Sequence, residues 1–191
     1  MPARRNAIAR MAGLAAFALT VGAIGCRPAP SVAPEGEARA AAPAKGHILL
    51  LPDSAIVVDP GSIEEQLAQF LASKEPAPRT FRFVGREFEP WASEPTPETL
   101  QTMYALVQIL RAYPHVTVTI TGYTDNVGPD ERNRALATAR AKKLAGLLEQ
   151  GGVRPVRIST VGAGPIDFIG DNATEAGRQL NRRIELTVTR K

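Results

Sequence analysis

From Arg79 onward the chain alternates two hydrophobic periods, and this alternation restricts its fold more than any single residue does. "HVTVTIT" (115–121) sets Val116, Val118 and Ile120 on one side and threonines on the other, the period of a strand. The segment after it opens at Pro129, Asp130 and Glu131, stops at Gly151–Gly152, and repeats at helical spacing. Before it, "RTFRFV" (79–84) alternates Phe81 and Phe83 as a strand. Thr96, Pro97 and Glu98 then open a helix whose Leu100, Met103, Val107 and Leu110 share a face. "VRISTVG" (156–162) and "RIELTVT" (183–189) read as two more strands, with a short helix over Thr174 to Leu180 between them. Strands alternating with helices predict an α/β (α+β) fold, βαβαβ(α)β, with helices packed on one face of a four-stranded mixed sheet.

The N-terminus belongs to a different kind of segment. "MPARRNAIARMAGLAAFALTVGAIGC" has a basic start, an apolar run from Met11 to Ile24, then small residues and a cysteine, the anatomy of a secretory signal over residues 1–25. The run is too short and too rich in alanine and glycine for a membrane-spanning helix. The whole chain carries +4 and has a pI near 9.6. Residues 1–25 hold three arginines and no acids, however, which leaves 20 basic against 19 acidic side chains. The basic pI therefore belongs to the export signal, and nucleic acid is dropped as a partner.

Cys26 is the single cysteine, so it has no disulfide partner within the chain. "AIGC" resembles the lipobox of bacterial lipoproteins, with Ala23 in place of the usual leucine. That resemblance implies lipidation of Cys26, with palmitate among the acyl chains, and anchoring by their burial in a bilayer. Arg27 stands where aspartate would retain a lipoprotein in the inner membrane. The resemblance thus implies the outer membrane, with the protein facing the periplasm. Residues 26–45, alanine- and proline-rich, contain no large apolar side chain beyond Val32 and read as a tether. Residues 46–78 read as a small hairpin ("GHILLLPDSAIVVDPGS") and a helix opened by the capping box Ser62–Glu65. That unit is too small to stand alone and is expected to pack on residues 79–191.

The helix after the second strand poses a problem. Leu136, Leu144, Leu147 and Leu148 form its apolar stripe, and Arg140 falls inside the stripe. A guanidinium among leucines is costly unless something pairs with it. The preceding turn, "GYTDNVGPDERN", holds Asp125 just before the helix N-terminus, where unpaired N–H groups favour negative charge. Asn133 lies two turns before Arg140 on the same face. The spacing predicts an acid, an amide and a guanidinium along one line at one edge of the sheet, as a binding site or as a structural Asp125–Arg140 ion pair.

These residues carry a resemblance. "GYTDNVG", then Asn133, Leu136, Arg140 and Ala141 at their spacing, then "VGAG" and "NATEAGRQLNRRIEL" resemble the OmpA-like C-terminal domain over about residues 79–191. That domain is the peptidoglycan-binding module of OmpA, Pal and MotB, and the layout of signal, tether and domain resembles Pal. The resemblance implies that the ligand is the meso-diaminopimelate residue of the stem peptide. It implies that Asp125 accepts the ligand's ammonium and that Arg140 holds its carboxylate by a two-pronged hydrogen bond. By the same carry-over Arg182 approaches that carboxylate from the last strand, and Asn133 and Thr124 supply neutral hydrogen bonds. The family's acidic residue after its first aromatic strand is Val84 here.

Other residues receive structural readings. Arg183, Lys142 and Lys143 read as solvated, Gly122 and Gly128 as turn glycines, and Trp91, in a proline-bounded loop, as core packing ahead of sugar stacking. A cell-wall hydrolase is the alternative from another class, but His47 and His115 stand apart, and no metal-ligand spacing or phosphate loop appears. A scaffold for another envelope protein, such as a Tol-type partner, is the third reading. The expectation is a non-catalytic, lipid-anchored protein without cofactor that ties the outer membrane to the wall.

Overall fold

The computed structural model describes residues 46–83, 87–89 and 91–191. The export signal, Cys26, the tether and Val84 lie outside the described residues.

A hairpin opens the fold: β1 (His47–Leu50) pairs antiparallel with β2 (Ala55–Val58). Helix α1 (Ile63–Ala72) begins where Ser62 Oγ accepts a hydrogen bond from the Glu65 amide at 3.3 Å. Glu65 reaches back as well, accepting from the Gly61 amide at 2.6 Å and lying 2.9 Å from His47 Nε2. One side chain thus fastens the helix start to the hairpin.

The main sheet has the order β3-β6-β4-β5, built from β3 (Arg79–Arg82), β4 (Thr117–Tyr123), β5 (Ile158–Gly164) and β6 (Ile184–Arg190). β4 and β5 run parallel, and β6 is antiparallel to both β3 and β4. Three helices accompany it: α2 (Pro97–Ala112), α3 (Asp130–Gln150) and α4 (Glu175–Asn181). The mixed α/β sheet expected from the alternating periods is present, with Val116, Val118 and Ile120 all buried.

Several boundaries shift by one or two residues from expectation, as at β4 and β6, and two other shifts bear on the packing. β3 stops at Arg82, although the Phe83 amide still donates to the Ile184 carbonyl at 3.1 Å. The third strand of the sheet starts at Ile158 because Pro155–Arg157 form a 3-10 turn. The buried Arg157 side chain donates from that turn to the carbonyls of Val116, Leu110 and Tyr113 at 2.7, 2.8 and 2.9 Å. It satisfies carbonyls that the end of α2 leaves without helical partners.

The core runs from the first helix to the last strand. Leu67 and Phe70 of α1 are buried with Leu106, Ile109 and Leu110 of α2, Leu144 and Leu148 of α3, and Leu186 of β6. The Phe70 and Phe81 rings lie 5.6 Å apart, and Lys191 Nζ donates to the Phe70 and Ser73 carbonyls at 2.8 Å each. Each such ring removes enough apolar surface from water to stabilise the fold by roughly 1.5–3 kcal/mol.

Helix α3 lies unusually close to β4 and β5, and two glycines permit it. A Cβ on Gly122 would stand 2.5 Å from the Ala137 carbonyl oxygen, and one on Gly162 would meet the Thr138 backbone nitrogen at 2.7 Å. Gly122 is thus a strand residue chosen for close approach, not a turn glycine. That approach presses the Asn133–Arg140 face of α3 against the end of β4, where the site forms.

Candidate functional site

Strand β4 ends under control from both neighbours. The Tyr123 amide donates to the Arg183 carbonyl at 2.9 Å, and the Thr124 amide to the Gly164 carbonyl at 3.0 Å. The chain then turns. Asp125 Oδ1 accepts from the Val127 amide at 3.0 Å, a local side-chain turn that aspartate makes readily. Asn133, fully buried on α3, donates from Nδ2 to the Val127 carbonyl at 2.9 Å. The acid and the amide therefore hold the two backbone polar groups of one loop residue, Val127.

Thr124, Asp125, Asn133, Arg140 and Arg182 all line one cleft of about 350 Å³, together with Trp91, Leu136, Glu175 and Arg178. All five side chains that the resemblance singled out therefore share one concavity. The described lining carries three guanidiniums against two carboxylates, a net positive surface suited to an anionic group. Thr124 Oγ1 is buried there without a hydrogen-bond partner, an arrangement that costs roughly 1–3 kcal/mol unless a ligand or water supplies the missing bond.

The pairing inside the cleft is not the one the sequence suggested. Asp125 makes its ion pair with Arg182, Nη1 to Oδ2 at 2.6 Å, and not with Arg140. Arg182 sits at the C-terminal end of α4, where its amide caps the helix by donating to the Arg178 carbonyl at 3.0 Å. Its Nη2 also reaches Glu175 Oε1 at 2.5 Å and Gln179 Oε1 at 2.6 Å. Hydrogen bonds from Arg182 and then Arg178 hold the Glu175 carboxyl below its ordinary value.

Arg140 finds other partners. Its Nε donates to the Ala92 carbonyl at 2.8 Å and its Nη2 to the Glu89 carbonyl at 3.2 Å. The guanidinium lies 4.9 Å from the centre of the Phe88 ring. Only 4% of Arg140 is exposed, and burial pulls its pKa down to about 10 against the opposing pull of Glu87. Asp125 supports the charge from farther away, and Arg182 opposes it. Glu87 shows the reciprocal effect: burial pushes its carboxyl up to about 7 despite its own backbone hydrogen bond and Arg140. The leucine-stripe arginine thus holds Glu89 and Ala92, close in sequence to Trp91, which lines the cleft.

Two further residues depart from their expected roles. Arg183 is buried, not solvated: it stacks 3.7 Å from the Tyr123 ring centre, donates to Glu185 at 2.8 Å, and donates to the Asp167 carbonyl at 3.0 Å. Trp91 is half exposed on the cleft wall and is not core. Glu175 and Arg178, not singled out from the sequence as site residues, pair with each other on α4 and also line the cleft.

A family model described as the OmpA family matches residues 88–182. The chain carries an OmpA-family domain. The match begins at Phe88, the ring beneath Arg140, and ends at Arg182, the partner of Asp125. Outside the family model, the OmpA-family segment is similar to "Probable lipoprotein YiaD" of Escherichia coli (strain K12), 37% identical over 93 residues. That match covers 49% of this chain and 42% of the relative. It is also similar to "Peptidoglycan-binding protein ArfA" of Mycobacterium bovis, 41% identical over 92 residues, covering 48% of this chain and 28% of the relative. The chain thus spans less than half the length of these relatives. Among solved structures, a MotB-like protein from Desulfovibrio vulgaris has the same fold, with a TM-score of 0.56 at 20% identity over 68% of this chain and 92% of that one.

Proposed function

We propose that the cleft binds peptidoglycan through the diaminopimelate residue of its stem peptide, and that the protein is a non-catalytic, lipid-anchored tie between the outer membrane and the wall. The observation that carries the reading is the meeting of Asp125, Arg140 and Arg182 in one 350 Å³ cleft beside the unpartnered hydroxyl of Thr124. The free end of diaminopimelate is a zwitterion with one ammonium and one carboxylate on a single carbon. Asp125 is the fixed acid for the ammonium, and Arg182 and Arg140 are the planar donors for the carboxylate. Thr124 Oγ1 gains the hydrogen bond it lacks.

Binding in this scheme exchanges partners. The ammonium takes a share of Asp125 while the carboxylate takes a share of Arg182, so neither buried charge is stranded. Asn133 acts through the loop it holds. The reading is supported by the OmpA-family match and by relatives named as a peptidoglycan-binding protein and a lipoprotein. Cys26 is the acylation site in this account, and residues 26–45 are the tether between bilayer and domain.

Co-sedimentation with purified diaminopimelate-type sacculi tests the function. The protein is expected to pellet with the wall, and Asp125→Asn to remain in the supernatant. Labelling in cells with an alkyne analogue of palmitate tests the anchor, with incorporation expected in the wild type and absent in Cys26→Ser. Wall pelleting unaffected by Asp125→Asn contradicts the assignment of the cleft.

A further inference from the structure

The cleft lining includes the apolar side chains of Trp91, Val127 and Leu136 beside its charged groups, and Trp91 is the largest of them. Trp91 is the single tryptophan of the chain. It is 50% exposed and lines the cleft that holds Asp125 and Arg140. Its φ is 60°, in the left-handed region that a bulky side chain enters only against steric cost. Such strain persists where surrounding contacts enforce it, and it gathers at ligand clamps.

The contacts are visible. The indole reaches the opposite loop, where a Cβ on Gly128 would lie 3.7 Å from its Cη2. The Arg132 guanidinium, from the first turn of α3, sits 4.8 Å from the ring centre. Val127, 45% exposed, continues the apolar lining. Core packing does not account for an indole that is strained, stacked by a cation and still half open to solvent.

We propose that Trp91 is a stacking wall for the part of the ligand that leaves the charged groups. The group it takes is a flat C–H face, supplied by a sugar ring of the glycan or by aliphatic groups of the stem peptide. The π face is electron-rich and the C–H face carries partial positive charge, so the two attract beyond their shared apolar area. Arg132 fixes the indole and places a donor beside the ring for the ligand's polar edge. The inference rests on the reading of this cleft as a peptidoglycan site.

Because the chain has one tryptophan, its emission reports on this contact alone. The full-length protein is titrated by fluorescence and by calorimetry, once with a diaminopimelate tripeptide and once with the same tripeptide carrying its disaccharide. Emission is expected to change saturably, with the calorimetric midpoint. Trp91→Ala is expected to weaken binding about five- to ten-fold and Trp91→Phe by much less, as stacking requires. Trp91→Gly, which relieves the backbone while deleting the ring, is expected to lose affinity without losing stability. A larger loss with the disaccharide ligand assigns the sugar, and equal losses assign the peptide. Calorimetric binding with unmoved emission and a wild-type midpoint in Trp91→Ala overturns the stacking wall and leaves the cleft's function standing. Absence of calorimetric binding to either ligand overturns both.

Discussion

Arg182 holds Asp125 at 2.6 Å across 57 residues of sequence, joining the end of β4 to the end of α4. Both oxygens of the acid are engaged, because Oδ1 accepts from the Val127 amide. The carboxylate is nearly buried while the guanidinium keeps 23% exposure. The charges of Asp125 and Arg182 therefore satisfy each other within the cleft.

That arrangement predicts unequal costs for two substitutions of Asp125. Asp125→Ala leaves Arg182 its contacts with Glu175 and Gln179 but takes away the hold on Val127. A loss of about 2–4 kcal/mol is expected in urea unfolding. Asp125→Asn keeps a carbonyl oxygen for the Val127 amide, so a loss nearer 1–2 kcal/mol is expected. Equal midpoints for the two variants contradict the geometry.

Arg140 anchors the cleft wall by donating to two backbone carbonyls from a planar fork. Lysine cannot reproduce that fork. Arg140→Lys is therefore expected to lose about 1–3 kcal/mol and to raise amide exchange at described residues 87–89 and 91–92. Retention of wild-type protection there contradicts the anchoring role.

Glu87 makes stability depend on pH. Its carboxyl is pushed up to about 7 in the folded state from 4.5, mainly by burial, so the native state binds the proton more tightly than the unfolded chain. The contribution is complete below about pH 4.5 and is lost as pH rises through 7. Urea unfolding should show this component falling by about 2–3 kcal/mol between pH 4.5 and 8. Glu87→Gln removes it, so the variant gains on the wild type as pH rises. A wild-type and variant difference that stays constant over the range contradicts the assignment.

Gly122 sets the distance between α3 and the sheet. Gly122→Ala drives a methyl against the Ala137 carbonyl, backbone that cannot swing aside. A loss of about 1–3 kcal/mol is expected, with thermal unfolding as the measurement. An unchanged transition means the helix does not seat as described.

Regular elements were legible in the sequence because their periods record which face meets the core. Val116, Val118 and Ile120 declare β4, and Ser62 with Glu65 declares the start of α1. The cleft was legible in membership, since Asp125, Asn133 and Arg140 follow from one turn and one helix face. Its wiring was not. Arg140 is satisfied by carbonyls of Glu89 and Ala92, which any residue carries, so no side-chain pattern announces them. Arg183 reads as solvated because its burial depends on Tyr123 and Glu185 from the folded sheet. Trp91 escapes period-based reading for the same reason: its loop has no repeat, and a positive φ at a non-glycine residue leaves no mark in sequence.

The most direct measurement is a calorimetric titration of the protein with a diaminopimelate stem peptide, paired with the same peptide carrying lysine. Lysine keeps the ammonium and lacks the second carboxylate, so it isolates the contribution of Arg140 and Arg182. The account predicts saturable binding to the diaminopimelate peptide, at least ten-fold weaker binding to the lysine peptide, and loss of both in folded Asp125→Asn. Equal affinity for the two peptides, or no binding at millimolar concentration, contradicts it.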